Sequence, residues 1–185
     1  MKKIGIFGGT FNPIHIGHLK MAEAARKEYK LDIVYFIPCG IPPHKPNVET
    51  CHGISLLPAK LRYSLVKRAI KGKKHFKVLD IEIKKRKPAY TIDTIKKFSI
   101  LNSQFSILFF LIGADEFKKL NTWKKANQLA KLVTFLVLPR PSNNIKAPRI
   151  KNLKWRLVHR KPINISSTEI REKLKEGNKN SSSFF

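Results

Sequence analysis

Apolar positions along the chain fall into short runs separated by longer stretches of mixed spacing. Ile4 to Phe7, Ile33 to Ile37 and Ile107 to Ile112 are continuous apolar runs of strand length, and Val133 to Leu138 is apolar but for Thr134; this is the texture of strands buried on both faces. They predict strands over 3–7, 33–38, 107–112 and 133–138. Residues 76–83 alternate apolar and polar and predict another strand, and 154–159 predict one more. Between these the spacing is helical. Leu19, Met21, Ala22 and Ala25 predict a helix over 18–29; Leu61, Leu65, Val66, Ala69 and Ile70 predict one over 59–70. Helices are also predicted over 91–100, over 115–132 with a break near Asn121, and over 166–175 from Ser/Thr caps. Residues 39–57 read as a long loop, because Pro42, Pro43 and Pro46 forbid regular pairing.

Alternating apolar strands and helices imply an α/β fold. A parallel sheet is covered by helices on both faces, and right-handed crossovers make it a doubly wound, Rossmann-like domain. One domain is expected over 1–177, with a polar, frayed tail over 178–185. There is no internal repeat. In such sheets ligands bind beyond the carboxyl ends of the strands.

Composition changes this picture little. The chain has 185 residues and 42% apolar content, ordinary for a globular protein with a proper core. No apolar run approaches ~20 residues, so no membrane span is expected. The chain enters a strand almost at once without the apolar region of a signal peptide, and two cysteines form no paired C-x-x-C; a cytoplasmic protein with reduced thiols is expected. Charge is the outlying quantity: 38 Lys and Arg against 12 Asp and Glu give a net +26. Nucleic-acid binding is one reading. The lysines, however, are spread over nearly every segment, and no helix-turn-helix, RRM or KH signature is present. A lysine-heavy surface that helps draw in polyanionic nucleotides is the reading adopted, with no nucleic-acid partner.

The candidate chemistry begins where the first strand meets the first helix. Gly8-Gly9-Thr10-Phe11-Asn12-Pro13-Ile14-His15-Ile16-Gly17-His18-Leu19 reads as a glycine-rich turn at a helix start, which is where an α/β protein holds a phosphate. His15 and His18 are three apart, so both rings can face one way. Gly17 between them removes a side chain that would block close approach. The stretch is neither the G-x-G-x-x-G dinucleotide fingerprint nor a Walker loop. Further candidates follow predicted strands. Gly40-Ile41-Pro42-Pro43-His44-Lys45 is a stiff loop with a cation. Tyr90-Thr91-Ile92-Asp93-Thr94 opens a helix, with Thr91 as its expected N-cap and Asp93 near its positive end. Gly113-Ala114-Asp115 places a carboxylate at a strand end, suited to ribose hydroxyls, and Trp123 offers a flat face for stacking. Leu138-Pro139-Arg140-Pro141 ends another strand. Ser166-Ser167-Thr168-Glu169-Ile170-Arg171 crowds hydroxyls and N–H groups at a helix start, which makes an anion site, while Ser166 with Glu169 also reads as a capping box.

The first stretch resembles the (H/T)-x-G-H signature that the nucleotidyltransferases share with class I aminoacyl-tRNA synthetases. In the form found here it looks most like the bacterial nicotinate mononucleotide adenylyltransferases. P-P-H-K, Arg62 on the following helix, Y-T-x-D-T, G-x-D followed by Trp123, and I-S-S-T-x-I-R match the same family, so the resemblance covers residues 3–177. Two positions depart from it: Asn12 stands where Asp is usual, and Ser142 where Gly follows R-P.

The resemblance implies adenylyl transfer from ATP to nicotinate mononucleotide, giving nicotinate adenine dinucleotide and pyrophosphate in NAD biosynthesis. Attack would be direct, without a covalent intermediate. His15, His18, Lys45 and Arg171 would act on the phosphates. Gly8, Gly9, Thr10, Phe11, Ser166, Ser167 and Thr168 would join them around ATP. Lys45, Tyr90, Thr91, Asp115, Trp123 and Arg140 would hold the mononucleotide. Mg²⁺ would ride on the substrate phosphates, since no carboxylate cluster offers a cage. A homo-oligomer is compatible with the sequence. The competing readings are a phosphopantetheine- or nicotinamide-specific adenylyltransferase, a basic nucleic-acid-binding domain, and a synthetase fragment; the last lacks K-M-S-K-S and an anticodon-binding extension.

Overall fold

The structure is a computed structural model, and it describes residues 1–42, 56–85, 87–101, 106–139, 145–159 and 167–175. Six strands form one sheet: β1 (Lys2–Gly9), β2 (Ile33–Pro38), β3 (Phe76–Val78), β4 (Ser106–Gly113), β5 (Thr134–Leu138) and β6 (Trp155–Leu157). Their order is β3-β2-β1-β4-β5-β6, and every pairing is parallel. Six helices connect or follow them: α1 (Ile16–Tyr29), α2 (Ala59–Ala69), α3 (Thr91–Leu101), α4 (Ala114–Lys118), α5 (Ala126–Leu132) and α6 (Ser167–Lys175). The expected doubly wound α/β domain is therefore present. No helix among the described residues is long and apolar enough to cross a membrane.

Two apolar cores follow from strand alternation. On one face Phe7, Phe36, Leu111 and Leu136 pack against Leu19, Ala22 and Ala25 of α1 and Val66 of α2. On the other, Ile6, Phe110, Ile112 and Phe135 pack against Ile92, Ile95 and Phe98 of α3, Phe117 of α4 and Leu129 of α5. The chain winds outward from β1 through β2 to β3, then returns to β4 on the opposite side of β1. The crevice outside the carboxyl ends of β1 and β4 is thus the switch point at which such sheets bind ligands.

Four expectations are corrected. Gly8 and Gly9 are not the turn; they extend β1 and pair with Ile37 and Pro38. Glycine leaves room for aromatic rings there: a Cβ on Gly8 would sit 3.2 Å from the Phe110 ring and one on Gly9 3.1 Å from the Phe11 ring, so each ring would have to give by a few tenths of an ångström. The strand predicted over 76–83 stops at Val78. Asp80 caps a tight turn, its carbonyl accepting from Ile83 and Lys84 N–H and its carboxylate pairing with Lys84 at 2.7 Å, which swings Glu82 inward. The strand predicted over 154–159 is only Trp155–Leu157. The N-cap of α3 is Tyr90, not Thr91, since the Tyr90 carbonyl accepts the Thr94 N–H at 3.3 Å.

The predicted break near Asn121 is real: α4 ends, a 3-10 turn covers Leu120–Thr122, and α5 restarts after Lys125 in the left-handed region (φ 54°). The tail over 178–185 lies outside the described residues, as does most of the proline-rich loop.

Candidate active site

The turn after β1 is held from several sides. Phe11 adopts a positive φ of 46°, and its ring packs edge-on against Phe7 and His18. The Asn12 side-chain oxygen accepts the Leu57 N–H at 3.0 Å. An Asp could make the same contact, so the departure from the family pattern keeps the acceptor. Arg62, on α2 and without solvent exposure, ties the surrounding loops together. Its Nη1 donates to the Thr10 carbonyl at 2.6 Å, its Nη2 to Gly40 at 2.9 Å and its Nε to Leu57 at 2.9 Å. Burial pushes its pKa down. All three guanidinium nitrogens thus brace the site's loops.

The two histidines stack at the start of α1. Their ring centroids are 3.8 Å apart, and His15, in extended conformation, is the N-cap. The His15 backbone N–H donates to His18 Nδ1 at 3.2 Å. An Nδ1 that accepts a hydrogen bond leaves the proton of a neutral ring on Nε2. His18 therefore presents an N–H donor from Nε2, at the positive end of a fourteen-residue helix.

The start of α6 closes on this turn from more than 150 residues away. Ser167 Oγ donates to the Pro13 carbonyl at 3.0 Å, Arg171 Nη1 to the Asn12 carbonyl at 2.6 Å, and Arg171 Nη2 to Thr168 Oγ1 at 3.1 Å. Arg171 Nε is buried with no partner among the described residues. A guanidinium, two hydroxyls and the histidine pair thus share one corner, which can bind a polyphosphate.

Beside that corner lies a cavity of about 300 Å³. Gly8, Gly9 and Thr10 line it from the end of β1, and Tyr90, Thr91 and Trp123 line it too. Trp123 stands edge-to-face on Phe110 at 6.0 Å, and Lys124 Nζ lies 4.0 Å above the Tyr90 ring. An apolar slot with an aromatic wall and a helix start suits a heteroaromatic ring bearing an anionic group. Asp115 is at the expected strand end, in the first turn of α4, but the wall there is made by Gly113 and Glu116. Lys45, Arg140 and Ser166 lie outside the described residues.

Two cavity residues without a site signal in the sequence, Glu82 and Cys39, form one cluster with Thr94 of the Y-T-x-D-T segment. Glu82 is 7% exposed and accepts Thr94 Oγ1–H at 2.6 Å. Its pKa is raised by burial, against the lowering effects of Thr94, Lys85 and Cys39. Cys39 is pushed up to about 12, first by burial and then by Glu82, so its thiol is inert at neutral pH. The only signal for Glu82 was a carboxylate among Ile81 and Ile83, which alternation assigned to solvent. Among the described residues no group of three His, Cys, Asp or Glu is placed to hold a metal.

The sequence model of the cytidylyltransferase-like family matches residues 6–173. A relative from Halalkalibacterium halodurans, named "Probable nicotinate-nucleotide adenylyltransferase", is 41% identical over 96% of this chain and 82% of its own. One of the same name from Clostridium acetobutylicum is 40% identical over 95% of this chain and 88% of its own. Among solved structures, the Plasmodium falciparum nicotinic acid mononucleotide adenylyltransferase complexed with APC shares the fold. It has a TM-score of 0.75 at 19% identity, over 99% of this chain and 89% of that one. The same enzyme complexed with NaAD has a TM-score of 0.70 at 19% identity, over 94% and 84%. With a whole-domain match to the family model and relatives at about 40% identity over nearly its full length, this chain belongs to the nicotinate-nucleotide adenylyltransferases of the cytidylyltransferase-like family.

Proposed function

We propose that the protein transfers the adenylyl group of ATP to nicotinate mononucleotide, releasing pyrophosphate and forming nicotinate adenine dinucleotide. The observation that carries this is the stacked His15–His18 pair at the helix start, set beside a slot walled by Tyr90, Thr91 and Trp123. The 5′-phosphate of the mononucleotide attacks the α-phosphorus of ATP in line. One P–O bond forms, the bond to the bridging oxygen breaks, and pyrophosphate leaves with the electron pair. The attacking phosphate is already anionic near pH 7, since its second pKa is about 6. The reaction therefore needs no protein base; direct in-line attack involves no covalent intermediate, and catalysis is positioning plus charge stabilisation.

Each residue then has a task. His18 Nε2–H donates to the α-phosphate as charge builds on it, and His15 contacts the triphosphate. Arg171, anchored on Asn12 and Thr168, holds phosphate charge together with Lys45. Ser166, Ser167 and Thr168 add hydroxyl donors, and the backbone of Gly8, Gly9, Thr10 and Phe11 lines ATP. Trp123 stacks on the pyridine ring, Tyr90 and Thr91 flank its carboxylate, and Asp115 and Arg140 serve the ribose and phosphate of the mononucleotide. A Mg²⁺ ion, held by the substrate phosphates and water rather than by a protein cage, supplies charge neutralisation on the triphosphate.

The test is an assay of purified protein with ATP and Mg²⁺, offering nicotinate mononucleotide, nicotinamide mononucleotide and phosphopantetheine separately. Preference for the nicotinate substrate is expected. Turnover of phosphopantetheine instead would keep the phosphate corner and sink the pyridine slot. No turnover of any substrate, with salt-sensitive RNA binding, would overturn the enzyme reading in favour of a nucleic-acid-binding domain.

A further inference from the structure

Glu82 is a buried carboxyl that the proposed chemistry does not use. Three connections meet at it. Its side chain accepts the Thr94 hydroxyl at 2.6 Å. Cys39, just after β2, lines the same cavity beside this carboxyl, and burial and then this carboxyl's charge raise the pKa of its thiol. Its backbone carbonyl presses on Gly40 so closely that a Cβ there would come to 2.3 Å. Thr94 belongs to the first turn of α3, where its N–H also bonds the Tyr90 carbonyl. Gly40 begins the loop that leads to Lys45, and its carbonyl is held by Arg62. A parallel tie runs alongside, from the Ala89 N–H to the Ile41 carbonyl at 3.2 Å.

From this we infer that Glu82 is a positioning residue for the mononucleotide: it clamps the loop after β2 to the first turn of α3 and so fixes Tyr90 and Thr91 against the pyridine ring. The inference rests on the mononucleotide site proposed above. The site needs such a clamp because the Ala89–Ile41 bond ties only the backbone before Tyr90, and the inward side of α3 itself (Ile92, Ile95 and Phe98) is held by apolar packing. Apolar packing sets the depth of a helix but not its rotation to within a few tenths of an ångström, which a carboxylate-binding helix start requires. A buried hydrogen bond with one short, directed contact supplies that restraint. Because the clamp acts on Tyr90 and Thr91 and includes neither histidine nor Arg171, its loss should fall mainly on the mononucleotide, with Arg62 still holding Thr10 and Gly40.

The test compares Thr94→Val, which removes the donor at constant shape, with Glu82→Leu and Glu82→Gln; the last keeps an acceptor for Thr94. Steady-state KM for each substrate, kcat, and the calorimetric Kd of nicotinate mononucleotide alone are measured. Thr94→Val and Glu82→Leu should raise KM and Kd for the mononucleotide roughly tenfold, the scale of one net hydrogen bond. KM for ATP should stay within about twofold, and Glu82→Gln should restore most of the loss. Equal movement of both KM values, or a fall in Tm with neither KM nor Kd changed, overturns the inference. If Glu82→Leu does not fold, Thr94→Val decides. If the wild-type chain uses nicotinamide mononucleotide instead, the proposed substrate falls, and the same split read on that substrate still judges Glu82.

Discussion

Replacing Arg62 with methionine removes three hydrogen bonds without removing much volume. Methionine follows the aliphatic path of arginine but donates nothing to Thr10, Gly40 or Leu57. A hydrogen bond from a charged donor contributes about 1.5–3 kcal/mol, so three set an upper bound of roughly 5–9 kcal/mol. Two features of the structure reduce that figure. The bonds to Thr10 and Leu57 are only partly buried, so water can replace the lost donor there; the bond to Gly40 is fully buried, and its carbonyl has no such recourse. Burial also disfavours the guanidinium charge, as its lowered pKa shows, and methionine recovers that cost. The net loss is then about 3 kcal/mol, a large share of the ~5–15 kcal/mol that holds a domain folded. For a chain of this size it should lower Tm by roughly 6–12 °C. Urea denaturation followed by circular dichroism, with a thermal scan beside it, measures the change. Arg62→Lys, which can reach fewer carbonyls, should fall between. A loss under about 1 kcal/mol for Arg62→Met would refute the reasoning: the loops would then be held by their apolar contacts alone.

The remaining expectations concern the site. His18→Ala should cut kcat about 10²–10³-fold with little change in Tm, the usual cost of one donor at the reacting phosphate; near-wild-type turnover would remove His18 from the mechanism. Trp123→Ala should weaken the mononucleotide by about 1–3 kcal/mol, the range of base-on-aromatic stacking, seen as a rise in its KM and not in that of ATP. Glu82 should also mark the pH profile of stability. Its pKa is raised above the ordinary 4.5, so the native state holds this proton more tightly than the unfolded chain. Its contribution is fully present below pH 4.5 and is lost as pH rises through the raised native value. The difference in denaturation midpoint between wild type and Glu82→Gln should therefore be flat below pH 4.5 and move in favour of Glu82→Gln above it. A parallel pair of curves would contradict the burial argument.

The elements with strong periodicity could be read from the chain. Four apolar runs became β1, β2, β4 and β5, because a strand covered on both faces has few alternatives. The His15–His18 pairing was legible too, since a three-residue offset at a helix start puts rings side by side. What alternation alone could not reveal was decided by tertiary contact. Residues 76–83 carry a strand pattern, yet the Asp80 turn and the pull of Thr94 on Glu82 end the strand at Val78. Arg62 gave no physical sign of its role, because its partners are backbone carbonyls, which every sequence possesses. Tyr90 took the N-cap position from Thr91 because its carbonyl, not a hydroxyl, receives the first helical bond. Glycines at 8 and 9 suggest a turn on the usual meaning of glycine. Here they extend β1 and leave room for neighbouring aromatic rings instead, and that room is set by Phe11 and Phe110 rather than by the glycines.

The place of β1 in the sheet has a consequence for the chain as it leaves the ribosome. Ile4 pairs with Ile33, so one edge of β1 can be covered early; Lys2 pairs with Ser106 on the other edge, about a hundred residues later. At roughly 5–20 residues per second, that edge waits on the order of 5–20 s for its partner. An apolar edge exposed for that long invites pairing with other nascent chains. Gly5, Gly8 and Gly9 lower the strand-forming tendency of β1 itself. The same bare backbone that leaves room for Phe110 and Phe11 in the finished molecule thus makes β1 a poor template for strangers until β4 has been made.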